Sequence, residues 1–369
     1  MKWQEADYFF MSRALQLARR GLNSTHPNPR VGCVFVLDEH IVAEGWHEYA
    51  GGPHAEINAL EKISGKAEGG RCYVTLEPCD HRGRTGPCTD ALIDAGVASV
   101  IAAVSDPNPL VAGRGLTKLA EAGIETHVGL MREDAVRLNQ GFIMRMSEKR
   151  PYIRCKLAMS LDGKTATASG ESKWITEAAA RMDVQRLRAR SAAIMTGIGT
   201  VLADDPGLDV REIDIGQRQV MRVVLDRELR LPVSAKMLTL AGRTLVFTMN
   251  ADESIKMEIE AAGAEVIVMS QDDQNFLAAV IQYLAVQEEI NEILLEAGAE
   301  LSGAMLEQGL VDEIILYQAP TLMGDSGRGL FHLPSINTMK EKLDLEMVDT
   351  RMVGRDRRMT FIVNNSQAI

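Results

Sequence analysis

Apolar and polar positions follow two periods along this chain and switch between them repeatedly. Tyr8, Met11, Leu15 and Ala18 recur at the spacing of one helix face, and Gly21 follows, so 3–20 is predicted as an amphipathic helix. Apolar runs at 31–37 and 41–46, separated by a short polar turn, read as paired strands. Pro53 suits a helix start, which predicts a helix to about residue 63 with His54 and Glu56 in its first turn. A strand at 73–76, a helix at 88–95, a strand at 99–104, a helix at 115–122, a strand at 126–128 and a long helix at 132–145 follow. This alternation predicts a sheet with helices on its faces.

Ser147-Glu148-Lys149-Arg150-Pro151 is charged and ends in proline, so the chain is divided into domains 1–147 and 151–369. The second half alternates again. Strands are predicted at 152–159, 192–196, 221–225, 244–248, 265–268, 292–296, 313–318 and 359–363. Helices are predicted at 177–190, with Thr176 as N-cap, and at 254–262, 275–286 and 301–308. The stretch 324–345, punctuated by Gly, Ser and Pro, reads as loop with a short helix.

Composition narrows the classes. The chain has 369 residues, 46% hydrophobic and 25% charged, which fits soluble globular protein of about two domains. A net charge of −11 argues against a general grip on nucleic acid, although a local basic patch could still hold a phosphate. No apolar run is long enough to span a membrane, and the start, MKWQEADYFF, lacks signal features. Five cysteines form no regular disulfide framework. The chain therefore reads as cytoplasmic, in a reducing compartment.

The candidate chemistry begins at Gly52-Pro53-His54-Ala55-Glu56 and resumes in VTLEPCDHRGRTGPC, residues 74–88. His54, Cys79 and Cys88 make a three-ligand set that leaves a fourth position of a tetrahedral zinc open, as catalytic sites do. Glu56 is a carboxylate able to move protons to and from a water held there. His-x-Glu followed by Pro-Cys and a second Cys is the signature of zinc deaminases, with one departure: the second Cys lies nine residues after the first. Cys33, Cys72 and Cys155 are left as small buried residues of strands. The proline-rich segment before residue 31 is either a plain turn or a loop that sets Asn28 against ligand. Asp106 and Asn108 end a strand, where open α/β sheets place ligands, or form a simple turn. Gly197-x-Gly199 and Ala297-Gly298 follow strands and could expose backbone amides to phosphate, though neither is a full dinucleotide motif. Lys156 and Asp204 lie beside strand ends as candidate polar groups or ordinary surface charges.

The stretches HPNPRVGC, GGPHAE, TLEPCDHRGRTGPC and SDPNPLVAGRG resemble the deaminase half of the bifunctional riboflavin-biosynthesis deaminase/reductase family. KLAMSLDGKTATASGESKWIT, TGIGTVLADDPGLDVR and LLEAGAELSGAMLEQGLVDE resemble its reductase half. The resemblance implies a cytidine-deaminase-like α/β/α domain followed by a dihydrofolate-reductase-like α/β domain. It implies hydrolytic deamination of a diaminopyrimidinone ribosylamino phosphate, then NADPH-dependent reduction of the ribosyl group to ribityl. By the same resemblance His54, Cys79 and Cys88 would bind zinc and Glu56 would shuttle protons. Ala158, Trp174, Thr200 and the run Gly298, Ala299, Glu300, Leu301, Ser302, Gly303 and Ala304 would face the nicotinamide cofactor. Ser172, Arg188, Asp204, Leu208, Arg211 and Glu296 would face substrate. Asp204 is the candidate for proton handling in the reduction, with Lys156 as a supporting charge. For the substrate phosphate the cationic candidates are Arg188 and Arg211 in one half and His81 or Arg84 in the other. Arg30 stands where an Asn is common, Arg227 where a Ser is common, and Gly86 where a Pro is frequent. A homo-oligomer is expected, since small α/β domains often pair.

On the residues alone two other readings stay open. One is a nucleobase deaminase acting on RNA, which the acidic charge and the lack of a basic-aromatic stripe oppose. The other is a closed structural zinc module, opposed by Glu56 and by the missing fourth ligand.

Overall fold

The computed structural model describes residues 2–80, 86–108, 112–269 and 275–364. Its contacts divide the chain into two compact units, Met1–Arg150 and Pro151–Ile369.

In the first unit β1 (Gly32–Leu37), β2 (His40–Trp46), β3 (Arg71–Val74), β4 (Ser99–Ala102) and β5 (Glu125–Val128) form one sheet in the order β2-β1-β3-β4-β5. β1 runs antiparallel to β2 and β3, while β3, β4 and β5 are parallel. The β1–β2 turn uses positive φ at Asp38 and Glu39, the mirror-image turn whose twist suits a hairpin. Strand side chains alternate between faces, and the two faces bury separate cores. Cys33, Phe35, Cys72, Val74 and Val100 meet Ala55, Leu60, Leu92 and Leu119 of the helices Ala55–Leu60, Cys88–Asp94 and Arg114–Glu121. Val34, Val36, Tyr73 and Ile101 meet Phe10, Met11 and Leu15 of the helix Glu5–Ala18, together with Ala135. The unit is thus an α/β/α sandwich. The expected long helix at 132–145 is two helices, Arg132–Leu138 and Gln140–Glu148. They break at Asn139, whose side chain accepts the Arg30 N–H at 2.8 Å and donates to the Arg30 carbonyl at 2.9 Å. The Arg30 guanidinium in turn donates to the Leu138 carbonyl at 2.9 Å, so a helix end finds its partner.

In the second unit β6 (Tyr152–Met159), β7 (Ala193–Gly197), β8 (Met221–Leu225), β9 (Thr244–Thr248), β10 (Glu265–Val268), β11 (Glu292–Leu295), β12 (Glu313–Gln318), β13 (Leu345–Val353) and β14 (Asp356–Val363) form a sheet. Their order is β10-β9-β8-β7-β11-β6-β12-β14-β13. The strands from β10 to β12 are mutually parallel, and β14 and β13 close one edge antiparallel. Strands buried on both faces need near-continuous apolar runs, which β7, β8, β9 and β11 have. The helices Phe276–Val286 and Ala299–Glu307 cover one face through Phe276, Val280, Leu284 and Met305. The helix Ala178–Arg190 covers part of the other through Ala180, Val184 and Leu187, and Ile259 of the helix Glu253–Ala261 covers the rest.

Four features differ from expectation here. The helix expected from Thr176 is capped by Glu177, whose N–H the Asp356 carboxylate accepts at 2.8 Å. Residues 324–344 hold turns and no helix. Leu345–Val353, unpredicted, is the outermost strand; most of it is exposed, so no burial pattern marked it, and β14 holds it in place. The short helix Ile198–Asp204 was also not expected.

Gly32 shows how closely the first unit packs: an added Cβ would lie 2.0 Å from the Ala14 carbonyl oxygen. Gly32→Ala is expected to cost about 1–3 kcal/mol by overpacking. A lower urea midpoint at unchanged slope would register it.

Candidate functional site

Three chain segments deliver the metal-ligand candidates to one place in the first unit. His54 is the N-cap of the helix Ala55–Leu60, one step earlier than the first-turn position expected for it. Glu56 does lie in that first turn, and its side chain is buried. Cys79 follows the end of β3, and Cys88 is the first residue of the helix Cys88–Asp94 behind Pro87. The His54 Nδ1 lies 3.3 Å from the Cys88 Sγ and 3.4 Å from the Cys79 Sγ. The three ligand atoms all lie within 4.8 Å of one another.

The electrostatics fit a cation. The Cys79 thiol is drawn down to about 4 by hydrogen bonds from Cys88 and His54, so it is the thiolate a metal requires. Cys88 is pushed up by its contact with Cys79 and by burial, because two neighbouring thiols cannot both ionise without a compensating charge. Burial, then the Cys79 charge, push Glu56 up to about 7. Two thiols, an imidazole and an open side match a zinc ion with one exchangeable position.

His47 was not singled out by sequence, yet it stands against this centre. Its ring meets that of His54 edge-on at 5.5 Å between centroids. Its Nδ1–H donates to the Pro53 carbonyl at 2.9 Å, so its Nε2 accepts from the Asn28 amide at 3.0 Å. Burial lowers the His47 pKa, which keeps the ring neutral in that role. Asn28 is thereby tied to the residue that packs on a ligand. Glu77 was also missed. It is buried and accepts the backbone N–H groups of Asp106, Gly113, Gly115 and Leu116. Its one sequence signal is its place two residues before Cys79. Asp106 accepts the Asn108 N–H at 2.8 Å, a turn held on Glu77. His81 and Arg84 lie outside the described residues.

The second unit gathers its candidates at the carboxyl ends of its parallel strands. β11 lies between β6 and β7, so the chain leaves β7 toward β8 and leaves β11 toward β12, on the other side of β6. Such a reversal opens a crevice where α/β sheets bind ligands. Gly197 and Gly298 cap the two helices that start there, neither with a side-chain cap, and a Cβ on Gly197 would lie 3.2 Å from Leu301. Helix starts with uncapped amides suit the phosphates of a dinucleotide such as NADPH. Glu296 follows β11 and pairs both carboxylate oxygens with Arg188, at 2.6 and 3.0 Å. Arg188 also donates to the Asp209 carbonyl at 2.9 Å, which leaves part of the guanidinium for other acceptors. Lys156, on β6, is held below its usual pKa by burial, partly offset by Glu296.

Asp204 pairs with Lys173 at 3.1 Å, and Lys156 feels the charges of Glu296, Arg188 and Cys155. Leu208 turns its side chain into the core with Val201 and Val220, so its backbone alone can meet substrate. Ser302 is buried, and Gly303 packs against the His332 carbonyl, where a Cβ would come within 1.9 Å. These two hold the helix in place more than they line the crevice. Thr200 lies in the helix Ile198–Asp204, and Ala158 is partly buried on β6. Trp174 is exposed beneath the Arg181 guanidinium, 4.8 Å from its ring, with Ser172 on the same segment. The Arg211 N–H is held by Gln185 at 2.9 Å, and its side chain is exposed.

The fold and these sites define a class: a deaminase-like unit with a metal centre, followed by a reductase unit. Residues 4–104 match the cytidine and deoxycytidylate deaminase zinc-binding region, and residues 151–357 match the RibD C-terminal domain. The riboflavin biosynthesis protein RibD of Escherichia coli is 46% identical, over 95% of this chain and 97% of its own. The RibD structure of Acinetobacter baumannii matches with a TM-score of 0.91 at 45% identity, covering 98% of this chain and 99% of that one. A diaminohydroxyphosphoribosylaminopyrimidine deaminase/5-amino-6-(5-phosphoribosylamino)uracil reductase of Thermotoga maritima matches with a TM-score of 0.86 at 32% identity, covering 97% and 99%. The chain belongs to the RibD family of riboflavin biosynthesis proteins.

Metal content tests the first centre. The protein is expected to carry about one zinc per chain, and Cys88→Ser to lose it. Acidification toward about pH 5 should release the metal, because protonated thiols and imidazole do not bind it. Unchanged zinc in Cys88→Ser, read by atomic absorption, would remove the site.

Proposed function

We propose that the chain carries out two consecutive steps of riboflavin biosynthesis, deamination in the first unit and reduction in the second. The observation that carries this reading is the convergence of His54, Cys79 and Cys88 beside buried Glu56, in a chain whose other unit is a family reductase. The substrate is a diaminopyrimidinone ribosylamino phosphate.

In the deaminase unit His54, Cys79 and Cys88 would hold zinc. When bound, zinc lowers the pKa of water toward ~7. Glu56 takes a proton from the attacking water and delivers it to the ring nitrogen. It then assists departure of the amino group as ammonia, which leaves the ring carbonyl. A carboxyl raised by burial suits this two-way traffic near neutral pH. Asn28, steadied by His47, would hold the pyrimidine.

In the reductase unit a bound NADPH would supply a hydride for the sugar carbon that bears the nitrogen. Gly197, Thr200 and the helix start at Gly298 to Leu301 would hold the cofactor, Lys156, Arg188 and Glu296 would supply polar groups to the site, and Arg188 and Arg211 would be the cations for the substrate phosphate. Asp204 is the proposed proton carrier, with Lys156 as a supporting charge.

Among the described residues no helix is long and apolar enough to cross a membrane. None of the five cysteines is in a disulfide, which is consistent with the proposed cytoplasmic location. For the partner we propose a second copy at the β13 edge, where Met347 and Met352 are exposed. About a two-fold axis at Thr350, Asp349 of one copy would stand opposite Arg351 of the other. Asp349→Arg should shift the protein toward monomer, and adding Arg351→Asp should restore the dimer in sedimentation. An unchanged state in the single variant would remove this interface.

A paired assay tests the chemistry. Ammonia should be released without NADPH, and NADPH should be oxidised only after deamination. Glu56→Ala should keep its zinc and lose deamination by about 10²–10⁴-fold. Retained ammonia release would end the role of Glu56, and normal NADPH oxidation in Asp204→Asn would end that of Asp204.

A further inference from the structure

We propose that Glu77 is a positioning residue of the metal centre, acting through the helix Arg114–Glu121 to hold Cys79 and Cys88 at ligand spacing. The inference rests on the zinc reading of His54, Cys79 and Cys88. Eight residues lie between the two cysteines in sequence, so a restraint from outside that stretch can set the distance between the sulfurs. The structure supplies the restraint from elsewhere.

One arm of it is buried. Glu77 Oε2 accepts the N–H groups of Asp106 and Gly113, each at 3.0 Å. Oε1 accepts those of Gly115 at 3.0 Å and Leu116 at 3.3 Å. Gly115 and Leu116 lie in the first turn of the helix Arg114–Glu121, whose own N-cap, Gly113, has no side chain to offer. Glu77 therefore caps this helix from another strand end, where the helix dipole also favours its charge. The helix is drawn down until its backbone touches the segment that carries Cys79. A Cβ on Gly115 would come within 2.1 Å of the Pro78 carbonyl oxygen.

The other arm is Lys118, one turn further along. Its Nζ lies 2.6 Å from Asp80 and 2.6 Å from Asp90. Asp80 follows Cys79, and Asp90 is two residues after Cys88. Thr89, next to Cys88, donates its hydroxyl to Asp80 at 2.9 Å and its N–H to the Cys79 carbonyl at 3.2 Å. The helix thus grips the chain before Cys79, after Cys79 and after Cys88, yet contributes no ligand. Lys118 is partly exposed and is the weaker arm; exposed ion pairs contribute little alone. The Glu77 arm is out of water and carries four hydrogen bonds.

Glu77→Gln keeps the shape but turns an NH2 toward two N–H donors, so half of the cap becomes repulsive. The test measures transfer of zinc to a chromogenic chelator and the visible spectrum of the cobalt-substituted protein. Glu77→Gln should weaken zinc retention by about 10-fold or more and alter the cobalt band. NADPH oxidation by the second unit should stay unchanged. Lys118→Met should move both readouts the same way by less, and Lys118→Arg should restore them. Wild-type zinc retention with an unaltered band in Glu77→Gln would overturn the proposal. So would a parallel fall in NADPH oxidation, which would mark general loss of fold. If Glu77→Gln does not accumulate as folded protein, the same readouts in Lys118→Met decide it. Wild-type protein that binds no zinc would overturn the metal reading itself.

Discussion

Too many ionisable groups share one small buried space in the first unit, and this constraint organises what surrounds them. Cys88 and Glu56 are buried and His54 and Cys79 half-buried where they converge, so their charges are settled jointly. One thiol is pulled down, its neighbour is pushed up, and the carboxyl is raised by burial. A divalent cation relieves this conflict and turns it into chemistry, because the carboxyl that no ligand role absorbs is left to carry protons. His47, held neutral between Pro53 and Asn28, keeps a further positive charge away from the centre.

The second unit solves a different problem, that of orienting two flexible molecules. Its parallel sheet is entered at β6, wound outward to β10, and then completed by β11 in the gap between β6 and β7. That late insertion opens the crevice and sets the helix starts at Gly197 and Gly298 beside each other. It also brings Glu296 to Arg188 across a large sequence separation. The ion pair holds the Glu296 carboxylate, and Lys156 on β6 is a partly buried amine whose pKa desolvation lowers. Each unit thus has its own core and its own reason for placing a polar cluster at strand ends.

Local pattern carried much of this fold. The 3.6-residue spacing of Met11, Leu15 and Ala18 and the apolar runs of β7, β8 and β9 depend on near neighbours in the chain. So does the pairing of His54 with Glu56, since a helix start sets both. The helix at 132–145 misled because only the far-off Arg30 reveals that Asn139 breaks it. β13 was silent because an edge strand exposed along most of its length has no inside to encode.

By itself the sequence determined the alternation of strands and helices, the ligand types, and the glycines that let backbones close on one another. These are properties of short segments, written in side-chain period and donor chemistry. The tertiary structure alone decided which distant groups meet: Glu77 with the helix at Arg114, His47 with His54, Glu296 with Arg188, and Asp204 with Lys173. Sheet order decides such meetings, and sheet order comes from burying the inner strands on both faces at once, a condition no single segment contains.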